Sequence, residues 1–410
     1  MREIYLDTAA TTPCDPRVLK AMAPFWSKIY GNPSSFNDSG RKAREAVEQS
    51  RKRIARILGA KNQEIIFTSS ATEASNFAVF GVANASQKSQ IPNPKIPKSK
   101  YHIITTKIEH RSVFEPIKKL GESGFEITYL EVNKEGLISL EEFKEALRPE
   151  TFLVSIIYVN NEIGSVQPIK KIGKIIKEFK KVSGPLYFHI DASQASAYLD
   201  INVNNLEVDL MTISSHKIYG PKGIAALYVR RGTEIKPLIY GGGQEWGLRS
   251  STEAVPLIVG FAKAIEISNR LKLISNKKEE KLKQYFVNGL RKTIPGIKIN
   301  GPENLKDRVP HIINTTFPGI ENEQLLLQLD KYGIRASAGS ACTSRGIEPS
   351  HVLLAMGLSK KEARSSIRFS LGRKISKTDL DYVLKILPKV VNIIKRLYPE
   401  DLKKHYYTKS

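Results

Sequence analysis

The chain reads as an α/β protein, with a large domain around a mostly parallel seven-stranded sheet and a smaller α+β domain. Three observations predict this. Seven short apolar runs alternate with amphipathic stretches between residues 64 and 229, the pattern of strand and helix units that cover both faces of a parallel sheet. The alternation stops after residue 255, where one long helical pattern leads into a mixed region. A length of 410 residues also exceeds what one ordinary core fills and fits two or three domains.

In chain order, the predicted strands are EIIFTS (64–69), YHIITT (101–106), FEITYL (125–130), FLVSIIYV (152–159), LYFHID (186–191), DLMTIS (209–214) and IAALYV (224–229). Their short length and β-branched or aromatic content fit buried strands. Helices are predicted over 44–59, 139–148 and 169–184, where apolar residues recur at helical spacing between charged ones. SQKSQIPNPKIPKSK (86–100) is rich in Pro, Lys and Ser and reads as a surface loop. Residues 15–255 are taken as the large domain, and residues 1–14 with 256–410 as the small one.

Composition narrows the function classes. With 26% charged and 41% hydrophobic residues the chain is globular rather than disordered. MREIYLDTAATTP has no apolar signal region, and no run reaches the ~18 apolar residues of a membrane span. The expectation is a cytoplasmic protein without membrane contact. Only two cysteines occur, Cys14 and Cys342, so neither a disulfide framework nor a cysteine zinc cage can be built. The net charge of +23 fits either a Lys-rich solvated surface or attraction to an acidic partner. The lysines are dispersed without interleaved aromatics, so no dedicated nucleic-acid site is expected.

The chemistry gathers at predicted strand ends, where open α/β sheets bind ligands. LYFHID ends at Asp191, with Gln194 three residues on, and DLMTIS runs into Ser214, Ser215, His216 and Lys217. Alone, Asp191 reads as a helix cap and Lys217 as a solvated turn residue. Together, a carboxylate and an amine facing one cleft are what a pyridoxal phosphate site requires, the Lys as Schiff base and the Asp on the pyridinium nitrogen. TSSATEASN offers small hydroxyl residues, Thr72 among them, at a strand-to-helix turn that suits an anion or a capping box with Glu73. His110 follows a third strand, as a stacking or proton-moving imidazole or an ordinary loop histidine. Asn160, Asn161 and Glu162 follow a fourth. In ASAGSACTSRG (336–346), Cys342 sits among small polar residues that cannot bury it, unlike most free cysteines.

YLDTAATTP, GNPSS, TSSATEASN, EHRSV, VNNEIGSVQP, DASQ, SSHKIYGPKG, GGGQEWGLRSST, SAGSACTS and SIRFSLGR occur in order along nearly the whole chain. In these motifs the chain resembles the cysteine desulfurases of the iron-sulfur and nitrogenase type, in the class V branch of the fold-type-I pyridoxal phosphate transferases. The resemblance implies that Lys217 carries the cofactor, Asp191 binds its ring nitrogen, and Gln194 and Asn161 contact the ring hydroxyl. It also implies that His110 stacks on the ring and serves in acid-base steps. Ala71, Thr72, Ser214 and His216 would surround the phosphate, and Thr252 would reach the phosphate of a neighbouring subunit in a homodimer. Arg368, with Asn32 and Asn161 near it, would clamp the carboxylate of L-cysteine.

Cys342 would then take the substrate sulfur as a persulfide, releasing alanine, and pass it to an iron-sulfur scaffold protein, to other acceptors and to tRNA thiolation. A transient [2Fe-2S] cluster on Cys342 belongs to the same expectation. Ser70 and Ser251 stand where the family usually has glycine. A class V aminotransferase or a selenocysteine lyase would share the Lys217 and Asp191 site; a non-catalytic sulfur carrier or basic nucleic-acid binder would share only the fold.

Overall fold

The computed structural model describes residues 3–89, 101–339 and 348–397. After β1 (Ile4–Tyr5), all seven predicted runs form strands: β2 (Ile65–Thr68), β3 (His102–Thr106), β4 (Glu126–Leu130), β5 (Thr151–Ile157), β6 (Tyr187–Asp191), β7 (Leu210–Ser214) and β8 (Ala225–Val229). They make one sheet in the order β2-β8-β7-β6-β5-β3-β4. Only β8 runs against its neighbours, β2 and β7; the pairs from β7 to β4 are parallel. Every residue of β5, β6 and β7 is buried, which explains why they read as continuous apolar runs without alternation. The carboxyl ends of β5, β6 and β7 therefore open side by side on one edge.

Helices cover both faces. The first long one, Asp38–Leu58, begins earlier than its apolar spacing predicts, because Asn37 Oδ1 accepts the Gly40 N–H at 2.9 Å and caps it. It ends at Gly59, whose φ of +69° suits glycine. Ile169–Ser183 buries Ile169, Ile172 and Ile176 and turns its lysines outward. One expectation needs correction. Helix Ala71–Ser89 runs through residues 86–89, which were expected to be loop; Ser86 Oγ bonds back to the Val82 carbonyl at 3.0 Å and continues the turn. The rest of that stretch, residues 90–100, lies outside the described residues.

The second apolar core lies under a separate antiparallel sheet of β9 (Lys298–Asn300), β10 (Ile312–Thr316) and β12 (Ser366–Ser370), with β10 central. Phe286, Phe317, Phe369, Leu325 and Leu387 fill it. β1 pairs in parallel with β11 (Ile334–Arg335) beside it. The helix Val255–Thr293 links both cores, contributing Phe261 and Ile265 to one and Phe286 and Leu290 to the other. Among the described residues no helix is long and apolar enough to cross a membrane.

One buried ion pair fixes the loop that follows β8. Arg51, 2% exposed, donates to both carboxylate oxygens of Glu245 at 2.7 and 2.9 Å and to the Ile65 carbonyl at 2.6 Å. Its guanidinium lies 4.7 Å from the Phe67 ring and 4.5 Å from the Trp246 ring. Glu245 and Trp246 both have positive φ, 51° and 56°, a backbone that ordinary side chains adopt at a cost. The pair holds that strained turn against β2. Removing one partner leaves a buried charge uncompensated, so Arg51→Ala is expected to lower unfolding free energy by about 3–5 kcal/mol in urea titration. Lys119→Ala, at an exposed pair with Glu122, is expected to leave the midpoint unchanged within scatter.

Candidate active site

The site is assembled by the turn after β7. Residues Ser215–Lys217 form one 3₁₀ turn, and Gly220 closes it; a Cβ there would meet Ser215 Oγ at 2.2 Å. Tyr219 takes a φ of 66°, held by its N–H on Thr12 Oγ1 at 2.8 Å and by the Arg373 guanidinium 4.1 Å from its ring. This geometry turns Lys217 toward the N-terminal strap, where Nζ donates to the carbonyls of Ala9 and Ala10 at 2.6 and 2.8 Å.

Lys217 lines a cavity of ≈ 380 Å³ together with Ala71, Thr72, His110, Asn161, Asp191, Gln194, Ser214, His216 and Arg368. Asp191 ends β6 at 5% exposure. Its Oδ1 accepts the Ser193 N–H at 2.9 Å, but residues 193–198 form turns rather than a helix, so the helix-cap reading does not hold and the carboxylate belongs to the cavity. Gln194 donates to the Ala9 carbonyl at 2.8 Å. Asn161 follows β5, and its carbonyl accepts from Arg368 Nη1 at 2.8 Å. Arg368, on β12 and 1% exposed, donates its Nη2 to Asp7 at 2.8 Å.

His110 caps the helix Arg111–Glu122. Its Nδ1 accepts the Ser112 N–H at 3.1 Å, and a backbone N–H only donates, so the neutral ring carries its proton on Nε2. Burial holds its pKa below the usual value, opposed by Asp191 and reinforced by the charge of Lys217. His216, within 3.1 Å of Thr11 Oγ1, is pushed down to about 4 by burial and then by Lys217 and Lys222. Both imidazoles are neutral at pH 7.

The phosphate end of a pyridoxal phosphate would meet the amino-terminal turn of helix Ala71–Ser89. Ser69, Ser70, Ala71 and Thr72 line the cavity there, and the Ser214 hydroxyl is buried without a protein partner. An anion-accepting helix end, an unpaired hydroxyl, an amine and a buried carboxylate are the donor set this group needs, and the residues present fit it. Ser70 and Ser251, at positions where glycine was expected, do not adopt positive φ. Ser70 Oγ caps the Glu73 N–H at 3.1 Å, and the Ser251 N–H donates to Gln244 Oε1 at 3.1 Å.

Not every expected residue meets the cavity. Asn32 is exposed and its Oδ1 accepts the Ser34 N–H at 2.9 Å; Thr252 is exposed as well. Neither lines the cavity of its own chain. Cys342 lies outside the described residues. Cys14 packs against the large core, and burial pushes its thiol pKa up, which disfavours a thiolate there. Sequence reasoning missed the carbonyls of Ala9 and Ala10, Asp7, Lys222 and the fully buried Glu109. The motif YLDTAATTP was visible, but carbonyl groups leave no mark in side-chain chemistry.

Titration of the buried groups sets a pH dependence. His189, beneath Asp191 and between Ser155 Oγ at 2.8 Å and Thr212 Oγ1 at 3.1 Å, is pushed down to about 4 by burial. Between there and the usual 6.5 the unfolded chain binds more protons, so stability is complete above that window and is lost as pH falls through it. Urea midpoints are expected to fall over this range, less steeply in His189→Gln. Glu109 has the opposite sign: burial raises its pKa to about 8, so its contribution declines as pH rises from 4.5 to 8. The stability of Glu109→Gln relative to the unaltered protein is expected to climb across that interval.

Comparison with known proteins agrees with this geometry. The family model for class-V aminotransferases matches residues 4–383. The cysteine desulfurase IscS of Clostridium botulinum strain Hall is 44% identical over 398 residues, covering 97% of this chain and 96% of that one. The mitochondrial cysteine desulfurase of Candida albicans is 45% identical over 401 residues, covering 97% of this chain and 78% of that one. A solved NifS-like protein superposes with a TM-score of 0.87 at 38% identity, over 96% of this chain and all of the other. With its seven-stranded sheet and the Lys217 cavity, the chain belongs to the class-V aminotransferase family, in the cysteine desulfurase branch of that fold-type-I group.

Proposed function

We propose that the chain removes sulfur from L-cysteine, releasing L-alanine and leaving a persulfide on Cys342. The observation that carries this reading is the convergence of Lys217, Asp191, His110, Arg368 and the unpaired Ser214 hydroxyl on one cavity. Pyridoxal phosphate, when bound, supplies the electron sink that makes the substrate α-proton acidic and its Cβ–S bond breakable.

The residues divide the remaining work. Lys217 Nζ, held beside two carbonyls, is the amine that would bear the cofactor and the base that would take the substrate α-proton. Asp191 would pair with the ring nitrogen, and Gln194 and Asn161 would contact the ring hydroxyl. Ala71, Thr72, Ser214 and His216 would hold the phosphate. His110 would lie against the cofactor ring and serve in acid-base steps. Arg368 receives the substrate carboxylate, with Asn32 approaching from the exposed side. The Cys342 thiolate attacks the substrate sulfur; the new S–S bond takes its electron pair, the Cβ–S bond breaks, and protonation of the three-carbon remainder completes alanine.

The same reading assigns residues 15–255 to the cofactor-binding domain, and residues 1–14 with 256–410 to the smaller one. Thr252, exposed and not part of its own cavity, serves a neighbouring subunit of a homodimer. The persulfide sulfur goes to an iron-sulfur scaffold protein, with tRNA thiolation as a further outlet and a transient [2Fe-2S] cluster resting on Cys342. The likeness to the bacterial IscS relatives supports this route and a cytoplasmic setting; the Candida relative is mitochondrial by name.

After incubation with L-cysteine, mass spectrometry is expected to find one added sulfur on the peptide containing Cys342. Cys342→Ala is expected to keep the visible cofactor absorbance and lose sulfide release; sustained turnover by that variant sinks the assignment. Lys217→Ala is expected to lose the covalent cofactor linkage. Alanine formed without an added keto acid separates this activity from transamination.

A further inference from the structure

Arg373 lies just past β12, beside the smaller sheet, and has no place in the chemistry above. It nevertheless grips Ile218 and Tyr219, the residues that follow Lys217. Its backbone N–H donates to the Tyr219 hydroxyl at 2.9 Å, and its guanidinium lies 4.1 Å from the Tyr219 ring. Nη2 donates to Ser268 Oγ at 2.8 Å, and that hydroxyl donates in turn to the Ile218 carbonyl at 3.0 Å. One residue from outside the large sheet is thus bonded to the turn directly and through a relay.

The turn needs such a grip. Tyr219 has a φ of 66°, a backbone that a bulky residue keeps only where its surroundings impose it. Gly372 packs close against the same turn: a Cβ there would sit 2.7 Å from Thr8 Cγ2 and 3.2 Å from the Tyr219 hydroxyl. Arg373 is itself held from the long helix Val255–Thr293. Lys278 Nζ donates to its carbonyl at 2.8 Å, and Glu279, 1% exposed, faces its charge; burial pushes the Glu279 carboxyl up and the Arg373 charge opposes it. Earlier on the same segment, Arg368 reaches the cavity. One short piece of chain therefore touches the cavity at Arg368 and the Lys217 turn at Arg373.

We propose that Arg373 is a positioning residue for Lys217, fixing Ile218 and Tyr219 so that Nζ keeps its place beside the Ala9 and Ala10 carbonyls at the cavity. The proposal rests on the reading of Lys217 as the amine that bears the cofactor. Misplacement of a reacting group by ~1 Å can cost on the order of 10²-fold in rate. The test uses the full chain, stripped of cofactor and reloaded with pyridoxal phosphate. Arg373→Met fills much of the same space without the guanidinium's hydrogen bonds, and is expected to form the Lys217 linkage more slowly by roughly tenfold or more. The rate is read from the visible absorbance and from the mass of the Lys217 peptide after borohydride reduction at timed intervals.

Arg373→Lys keeps a cation over the Tyr219 ring and a donor for Ser268, and is expected to recover part of the rate. Ser268→Ala removes only the relay to Ile218; it is expected to slow the linkage less, and it covers the case in which Arg373→Met does not fold. Arg308→Met is the control, because it breaks a different pair on the same long helix, Arg308 Nη2 to Glu280 Oε1 at 2.9 Å. It is expected to lower the urea midpoint and leave the linkage rate unchanged. The proposal alone is overturned if the unaltered protein forms the linkage and Arg373→Met does so equally fast, if Arg373→Lys gains nothing over it, or if Arg308→Met slows the step as much. Where Arg373→Met does not fold, an unaltered rate in Ser268→Ala overturns it. If the unaltered protein forms no linkage at Lys217, the underlying reading fails and the proposal falls with it.

Discussion

The burial of Arg368 is the constraint around which the molecule is arranged. A guanidinium at 1% exposure is tolerable only with charged or carbonyl partners in good geometry. Asp7 and the Asn161 carbonyl supply them, and each belongs to a different part of the chain. Satisfying one side chain therefore brings together the N-terminal strap, the turn after β5 and the small sheet's β12.

That junction organises the rest of the site. The strap continues from Asp7 to Ala9 and Ala10, whose carbonyls receive Lys217, and Ala9 also receives Gln194. Thr8 and Ala9 are bonded to the Leu371 carbonyl and to Ser370 Oγ, at and just past the end of β12 that carries Arg368. A few hydrogen bonds of ~1 kcal/mol each would not hold these segments alone. The apolar cores beneath the two sheets carry the stability, and the polar bonds choose the register in which those cores meet.

Electrostatics then separates roles among similar groups. His110 and His216 are neutral because burial and neighbouring cations disfavour their charged forms, while Glu109, buried and facing the Asp191 charge, holds its proton to about pH 8. The cavity thus presents neutral imidazoles where protons must move and keeps its fixed cations, Lys222 and Arg368, at the wall. The buried Arg51 and Glu245 pair plays a mechanical part, securing the strained turn from which Arg249 reaches Glu73, at 2.8 Å, on helix Ala71–Ser89.

The sequence by itself determined the seven strands, the helical stretches over 44–59, 139–148 and 169–184 and the strand-end residues Asp191, Ser214 and Lys217. These depend on local periodicity and on the rule that ligands gather at carboxyl strand ends. The tertiary structure alone decided which distant groups complete the site: Asp7 on Arg368, the Ala9 and Ala10 carbonyls on Lys217, and Arg373 on Tyr219. It also left Asn32 and Thr252 outside the cavity of their own chain, and it extended the helix past Ser86. Such pairings depend on packing between segments far apart in the chain, and neither spacing nor residue type carries that information; a backbone carbonyl looks the same at every position until the fold gives it a partner.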